Sequence, residues 1–311
     1  MSSEQFLKPL LEGMMKDSGI AFTGAPGGIE GERMLLRSYM NVRRPSLIPY
    51  DLLELQDRYL KERNAERGVN PVERIATVDK TLGSNKRSAD RIALWQGDIT
   101  TLDCDAIVNA ANSQMLGCFQ PCHSCIDNCI HTYAGMQLRM ECHRKMSEMR
   151  TAFGDDYEQP TSIPMLTDAY NLPCKNVIHV VGPIVHHGLT NEHEQSLAQC
   201  YTNVLEMCRA NRIKSVAFCC ISTGVFRFPN ERAAEIAIDT VSEWLKSDNH
   251  MEKVIFNVFL DKDRKIYEKL LSRYPQRLHG NHIRGDEMHR IPRQETHQRK
   301  RFGQSLEGSH G

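Results

Sequence analysis

The sequence predicts an α/β protein of three layers, α/β/α, behind a helical N-terminal extension. Three features predict it. From about residue 90 onward, short β-branched or continuously apolar runs recur: "RIALWQGDIT", "DAIVNAAN", "NVIHVVGPIV", "SVAFCCIST" and "KVIFNVFLD". Such runs suit strands buried on both faces. Stretches of helical periodicity lie between them, and strands alternating with helices imply a mainly parallel sheet covered on both sides. Residues 1–75, by contrast, carry helical periodicity alone.

In the first segment Phe6, Leu7, Leu10, Leu11 and Met14 repeat at helical spacing. "FTGAPGGIEG" reads as a loop. Leu52, Leu55 and Tyr59 then mark a second helix, with Gly68 as its stop. A region this short is expected to pack against the α/β domain and not to build a robust core of its own. That domain is assigned to residues 76–272. Its first helix is expected in "DNCIHTYAGMQLRMECHRKM", where Ile130, Ala134, Leu138 and Cys142 fall four apart. Further helices are expected in "EQSLAQCYTNVLEMCRAN" and in "PNERAAEIAIDTVSEWLKS", the latter with Pro at its start. Residues 273–311 have eight Lys or Arg against four Asp or Glu and no apolar periodicity, the pattern of a disordered basic tail. A solvated tail of this kind needs no nucleic-acid partner.

Composition narrows the function. Lys plus Arg and Asp plus Glu are equal at 39 each, so no long-range field draws nucleic acid or an anionic membrane. No run of 18 apolar residues exists, and the N-terminus is no signal peptide. An odd number of cysteines, 11, several inside apolar runs, reads as free thiols in a reduced intracellular protein, taken here as cytoplasmic.

Ligands of parallel sheets gather at the carboxyl ends of the strands. "QGDIT" puts Asp98 and Ile99 at one such end, and "IVNAANSQML" puts Asn109 and Asn112 at another. In "CISTGVFRFPNERAAE", Ser222, Thr223 and Gly224 offer consecutive N–H groups before a helix N-terminus. That arrangement cradles a pyrophosphate without using charge, although a Ser-Thr-Gly turn can equally be a plain helix cap. "GCFQPCHSCIDNCIH" packs four cysteines and two histidines into fifteen residues, which could hold a metal or be ordinary core and helix residues.

In this order and spacing, "GDIT", "DAIVNAAN", "IHVVGPI" and "ISTGVF" resemble the macrodomain, the ADP-ribose-binding fold. Within it the chain looks most like the MacroD-type hydrolases, in which an aspartate opens the helix after the "NAAN" strand. "CIDNCIHTYAG" stands in that place, so the resemblance makes Asp127 the catalytic aspartate. Where such enzymes have a run of glycines, this chain has "GCFQPCHSC". That substitution resembles the zinc-dependent macrodomains, with their Cys, four residues, His, one residue, Cys. Cys118, His123 and Cys125 fit the spacing, and "YMNVRRPSLIPYDLLELQDRYL" resembles that subfamily's N-terminal extension. Cysteine and histidine are usual zinc ligands, and three of them leave a position open. Cys122 or Cys129 could instead close the site as a fourth ligand. His131, one helical turn past Asp127, could orient it or only pack.

The resemblance implies an ADP-ribose site formed by Asp98, Ile99, Asn109, Asn112, Ser222, Thr223, Gly224, Val225, Phe226 and Phe259. It also implies catalysis by Asp127 with Asn112, and a Zn2+ cofactor. The activity implied is removal of mono-ADP-ribose from modified proteins, at acidic side chains. A non-catalytic reader of ADP-ribose is the alternative. Asp127 also has the plain reading of a helix N-cap.

Overall fold

The computed structural model describes residues 2–22, 27–85 and 88–272. The tail assigned to residues 273–311 lies outside them. The extension consists of α1 (Glu4–Ser18), α2 (Gly28–Val42) and α3 (Tyr50–Arg67). The last four residues of the expected glycine-rich loop, 28–31, form the first turn of α2. The extension does have an apolar centre: Leu7, Leu10, Met14, Leu36, Tyr39 and Leu60 are all but inaccessible, and Met136 of the α/β domain closes the cluster. It therefore both holds a core and docks on that domain.

Strand β1 (Asn70–Pro71) and the short helix α4 (Val78–Thr81) lead to β2 (Ile92–Gln96), β3 (Leu102–Asp103) and β4 (Ala106–Ala111). Then come α5 (Ile126–Ala134), α6 (Met136–Phe153), β5 (Met165–Asp168), β6 (Asn176–Val181), α7 (Asn191–Ala210), β7 (Ser215–Phe218), α8 (Asn230–Ser247), β8 (Lys253–Val258) and α9 (Asp261–Ser272). Six strands form one sheet in the order β2-β8-β7-β4-β6-β5, while β1 and β3 pair separately. All pairings in the main sheet are parallel except β5 with β6. The chain moves one way across the sheet from β4 to β6 and the other way from β6 through β7 to β8. Right-handed crossovers therefore put α5 and α6 on one face and α7 and α8 on the other.

The five apolar runs read from the sequence are β2, β4, β6, β7 and β8. Three differences stand out. The antiparallel edge strand β5 carries only four residues after a proline, too short a run to show periodicity. The single helix expected across residues 127–146 is two helices broken at Gly135. There φ is +99°, and a Cβ would lie 2.7 Å from the Gln56 side chain, which accepts from the Met136 N–H. Ile130, Ala134, Leu138 and Cys142 are nonetheless all buried, so the apolar spacing survives the break. Third, the cap of α5 is Cys125, whose sulfur accepts from the Asn128 N–H at 3.4 Å, and Asp127 is the second residue of the helix. The N-cap reading of Asp127 is thereby corrected. No helix among the described residues is long and apolar enough to cross a membrane.

Candidate active site

β2, β4 and β7 run parallel in one sheet, so their carboxyl ends carry three loops on the same edge. Asp127, in the first turn of α5, is only 5 % exposed. Its Oδ1 accepts from Asn109 Nδ2 at 2.7 Å, and its Oδ2 lies 3.4 Å from Asn112 Nδ2. Burial pushes its carboxyl up to about 6, against the lowering influence of Asn109 and Arg139. A carboxyl held this way leaves Oδ2 toward Asn112 and the loop after β4.

That loop carries the cysteines. The ligand atoms of Cys118, His123 and Cys125 lie within 4.8 Å of one another, and Cys118 Sγ is 3.6 Å from His123 Nδ1. Tetrahedral zinc with its usual bonds to sulfur and nitrogen separates two such ligands by about 3.6 Å, so the donor set fits the metal in type and spacing. Burial pushes the Cys125 thiol up to about 12. Cys122 turns away: its thiol contacts Met34 O at 3.2 Å and Ser38 Oγ at 3.3 Å. Cys129 sits against Arg37, 3.4 Å from its guanidinium. Neither belongs to the cluster.

The loop is pinned from both sides. Arg37 of α2 donates to His123 O at 2.8 Å and to Asn128 Oδ1 at 2.7 Å. Asn128 in turn donates to Gln120 O at 2.9 Å. Asn41 accepts from the Cys122 N–H at 2.9 Å and donates to Thr132 Oγ1 at 3.0 Å. Arg139 of α6 donates to Leu116 O, Met40 O and Arg43 O, and the ring of Phe119 lies between the guanidinium groups of Arg44 and Arg139. At Gly117 φ is +81°, and a Cβ there would lie 2.8 Å from the His131 ring. His131 thus packs beneath the loop. Its Nε2 is 3.6 Å from Asp127 Oδ1, too far for a hydrogen bond. Sequence reasoning did not single out Arg37, Asn41, Asn128 or Arg139, because each has a partner 81 to 99 residues away, which leaves no local spacing to read.

The other predicted residues lie outside the cysteine loop. Ser222, Thr223, Gly224, Val225 and Phe226 form the loop between β7 and α8. Among the described residues the N–H groups of Gly224, Val225 and Phe226 have no backbone acceptor, as a cradle for an anion requires. Ser222 is buried at φ +65°, and a Cβ on Gly182 would stand 2.0 Å from its Oγ, so the end of β6 presses directly against this loop. Val225 and Phe259 are each 70 % exposed, and the Phe259 carbonyl accepts from Gln96 Nε2 at 3.2 Å. Asp98 caps the turn after β2, accepting from the N–H and hydroxyl of Thr100, and also pairs with Arg67. Arg67 stacks on the Tyr133 ring. Ile99 is buried beside it. Asn109 departs from the expectation of a ligand contact. It is fully buried, and its amide is engaged by Asp127 and His179, which places it beneath the site.

Comparison with known proteins agrees with this fold. The family model "Macro domain" matches residues 108–237. A protein-ADP-ribose hydrolase of Treponema medium is 47 % identical over 79 % of this chain and 90 % of its own length. The chain belongs to the macrodomain family. A protein-ADP-ribose hydrolase of Staphylococcus aureus is 42 % identical to this macrodomain over 80 % of it and 88 % of the relative. Among solved structures, the Trypanosoma brucei macrodomain in complex with ADP-ribose is similar at 28 % identity and a TM-score of 0.55, covering 75 % of this chain and 94 % of that one.

Proposed function

We propose that this macrodomain is a zinc-dependent hydrolase that releases single ADP-ribose units from modified proteins, at esters of Asp or Glu. The observation that carries the reading is the position of Asp127. It is a buried carboxylate two residues from the last ligand of a Cys-His-Cys cluster, with Asn112 between strand end and loop. The relatives named protein-ADP-ribose hydrolase support the hydrolytic part.

Zinc held by Cys118, His123 and Cys125 would supply Lewis acidity. The protein's residues supply the rest. The free N–H groups of Gly224 to Phe226 hold the pyrophosphate, and Asn112 orients the distal ribose. Asp127 accepts a proton from water as its oxygen bonds to the anomeric carbon and the ribose–ester bond breaks. The side-chain carboxylate of the modified protein leaves, and Asp127 returns its proton to solvent. The linkage is testable with three mono-ADP-ribosylated acceptors. Glutamate-linked protein should be cleaved, while arginine- and serine-linked proteins should persist. Equal release from all three would contradict the ester assignment.

Two further outcomes are expected. Gly182→Ala forces a methyl into Ser222, so the pyrophosphate loop must shift; ADP-ribose affinity should fall by roughly tenfold or more, a loss of about 1.4 kcal/mol, read by calorimetry. Arg37→Met removes the bonds to His123 O and Asn128. Supporting partners of metal ligands typically contribute about 10–100-fold in affinity, and zinc competition with a chromophoric chelator should show a loss of that size.

A further inference from the structure

A row of hydrogen bonds runs from the edge of the sheet to the active site. Thr167 lies on β5, His179 on β6, Asn109 on β4 and Asp127 on α5. Asn109 and His179 face each other in register, so their side chains meet on one face of the sheet. Asn109 Nδ2 has two hydrogens. One goes to Asp127 Oδ1 at 2.7 Å, the other to His179 Nδ1 at 3.0 Å. On the opposite side of the ring, His179 Nε2 is 3.0 Å from Thr167 Oγ1.

With Asp127 ionised, these contacts assign the protons along the row. A carboxylate only accepts, so the amide of Asn109 must turn its nitrogen toward Asp127. The second amide hydrogen then meets His179 Nδ1, which must be unprotonated. The ring proton therefore sits on Nε2 and donates to Thr167 Oγ1, whose hydroxyl points on toward Val177 O at 3.4 Å. Burial holds the pKa of His179 down at about 3, so the ring keeps a single proton.

We propose that Thr167 and His179 are positioning residues for the hydrolysis: through Asn109 they fix the Asp127 carboxylate so that Oδ1 is anchored and Oδ2 faces the substrate. The proposal rests on the hydrolase reading above. His131, Cys142 and His179 also bring three metal-type ligand atoms within 4.8 Å of one another. A metal on His179, however, would displace either Asn109 or Thr167, since both ring nitrogens already have partners. Cys142 Sγ makes a longer, weaker contact with the same nitrogen, at 3.9 Å against 3.0 Å for Thr167 Oγ1.

The test compares Thr167→Val, Thr167→Ser, His179→Phe and Cys142→Ala with the wild type. The measurements are kcat, KM, ADP-ribose affinity, zinc content and thermal midpoint. Thr167→Val frees the ring to take its other tautomer, which would turn an N–H against Asn109. Its kcat should fall roughly tenfold or more, since small misplacements of a reacting group are costly. KM, ADP-ribose affinity and zinc content should stay within about twofold, because neither the pyrophosphate loop nor the cysteine loop is touched. Thr167→Ser should restore kcat, His179→Phe should match or exceed the Val loss, and Cys142→Ala should leave kcat, KM, ADP-ribose affinity and zinc content unchanged, with only the thermal midpoint lowered by the cavity left in the core. A Thr167→Val protein with wild-type kcat overturns the proposal, even if His179→Phe fails to fold. So does a Thr167→Ser protein that folds but remains slow, or a loss of zinc in Cys142→Ala. Absence of release by the wild type would instead sink the hydrolase reading.

Discussion

Asp127→Asn is expected to slow ADP-ribose release by about 10²–10⁴-fold, the usual worth of a positioned general base. ADP-ribose affinity should stay within a few-fold. Asparagine is the informative replacement. Its carbonyl can still accept from Asn109, so the buried amide keeps a partner and only the basicity is lost. Alanine would leave Asn109 unsatisfied, which costs about 1–3 kcal/mol of stability and confuses the readout. Cys125, and not Asp127, caps α5, so no loss of a helix cap accompanies either change. Single-turnover release and calorimetry on the same sample separate chemistry from binding. Wild-type release by Asp127→Asn would remove the carboxylate from the mechanism.

The second large effect belongs to the cysteine loop. Cys125→Ser should abolish zinc binding and reduce release to the level of the chelated protein. Serine is a good N-cap and can accept from the Asn128 N–H as the sulfur does, so α5 should persist and the thermal midpoint of the metal-free proteins should agree. Cys118→Ser should behave likewise. Cys122→Ser and Cys129→Ser should retain zinc, since the first thiol faces α2 and the second faces Arg37. Metal analysis of the four purified variants decides it: zinc lost from Cys122→Ser but kept by Cys118→Ser would reassign the ligands.

Much of this arrangement is legible in the sequence because the sheet is buried on both faces. β4, β6, β7 and β8 are runs of near-continuous apolar residues, and the polar exceptions Asn109 and His179 stand out within them. Their meaning was not legible. Asn109 reads as a loop-end polar group, yet lies inside β4 with its amide turned to the adjacent strand. The break at Gly135 escaped for a related reason: the apolar spacing continues through it, and the cause, Gln56, is 79 positions away. Cys118, His123 and Cys125 were legible because their spacing is local. Arg37 and Arg139 were not, because they act across the chain, joining the extension and α6 to one loop.

The central claim is that hydrolysis depends on the metal held by that loop. The most direct measurement is release of ADP-ribose from a glutamate-linked, mono-ADP-ribosylated protein by native, chelated and zinc-restored samples. The chelated sample should bind ADP-ribose within a few-fold of the native one but release none, and one equivalent of zinc should restore the rate. Full activity in a chelated sample shown to contain no metal would contradict the account.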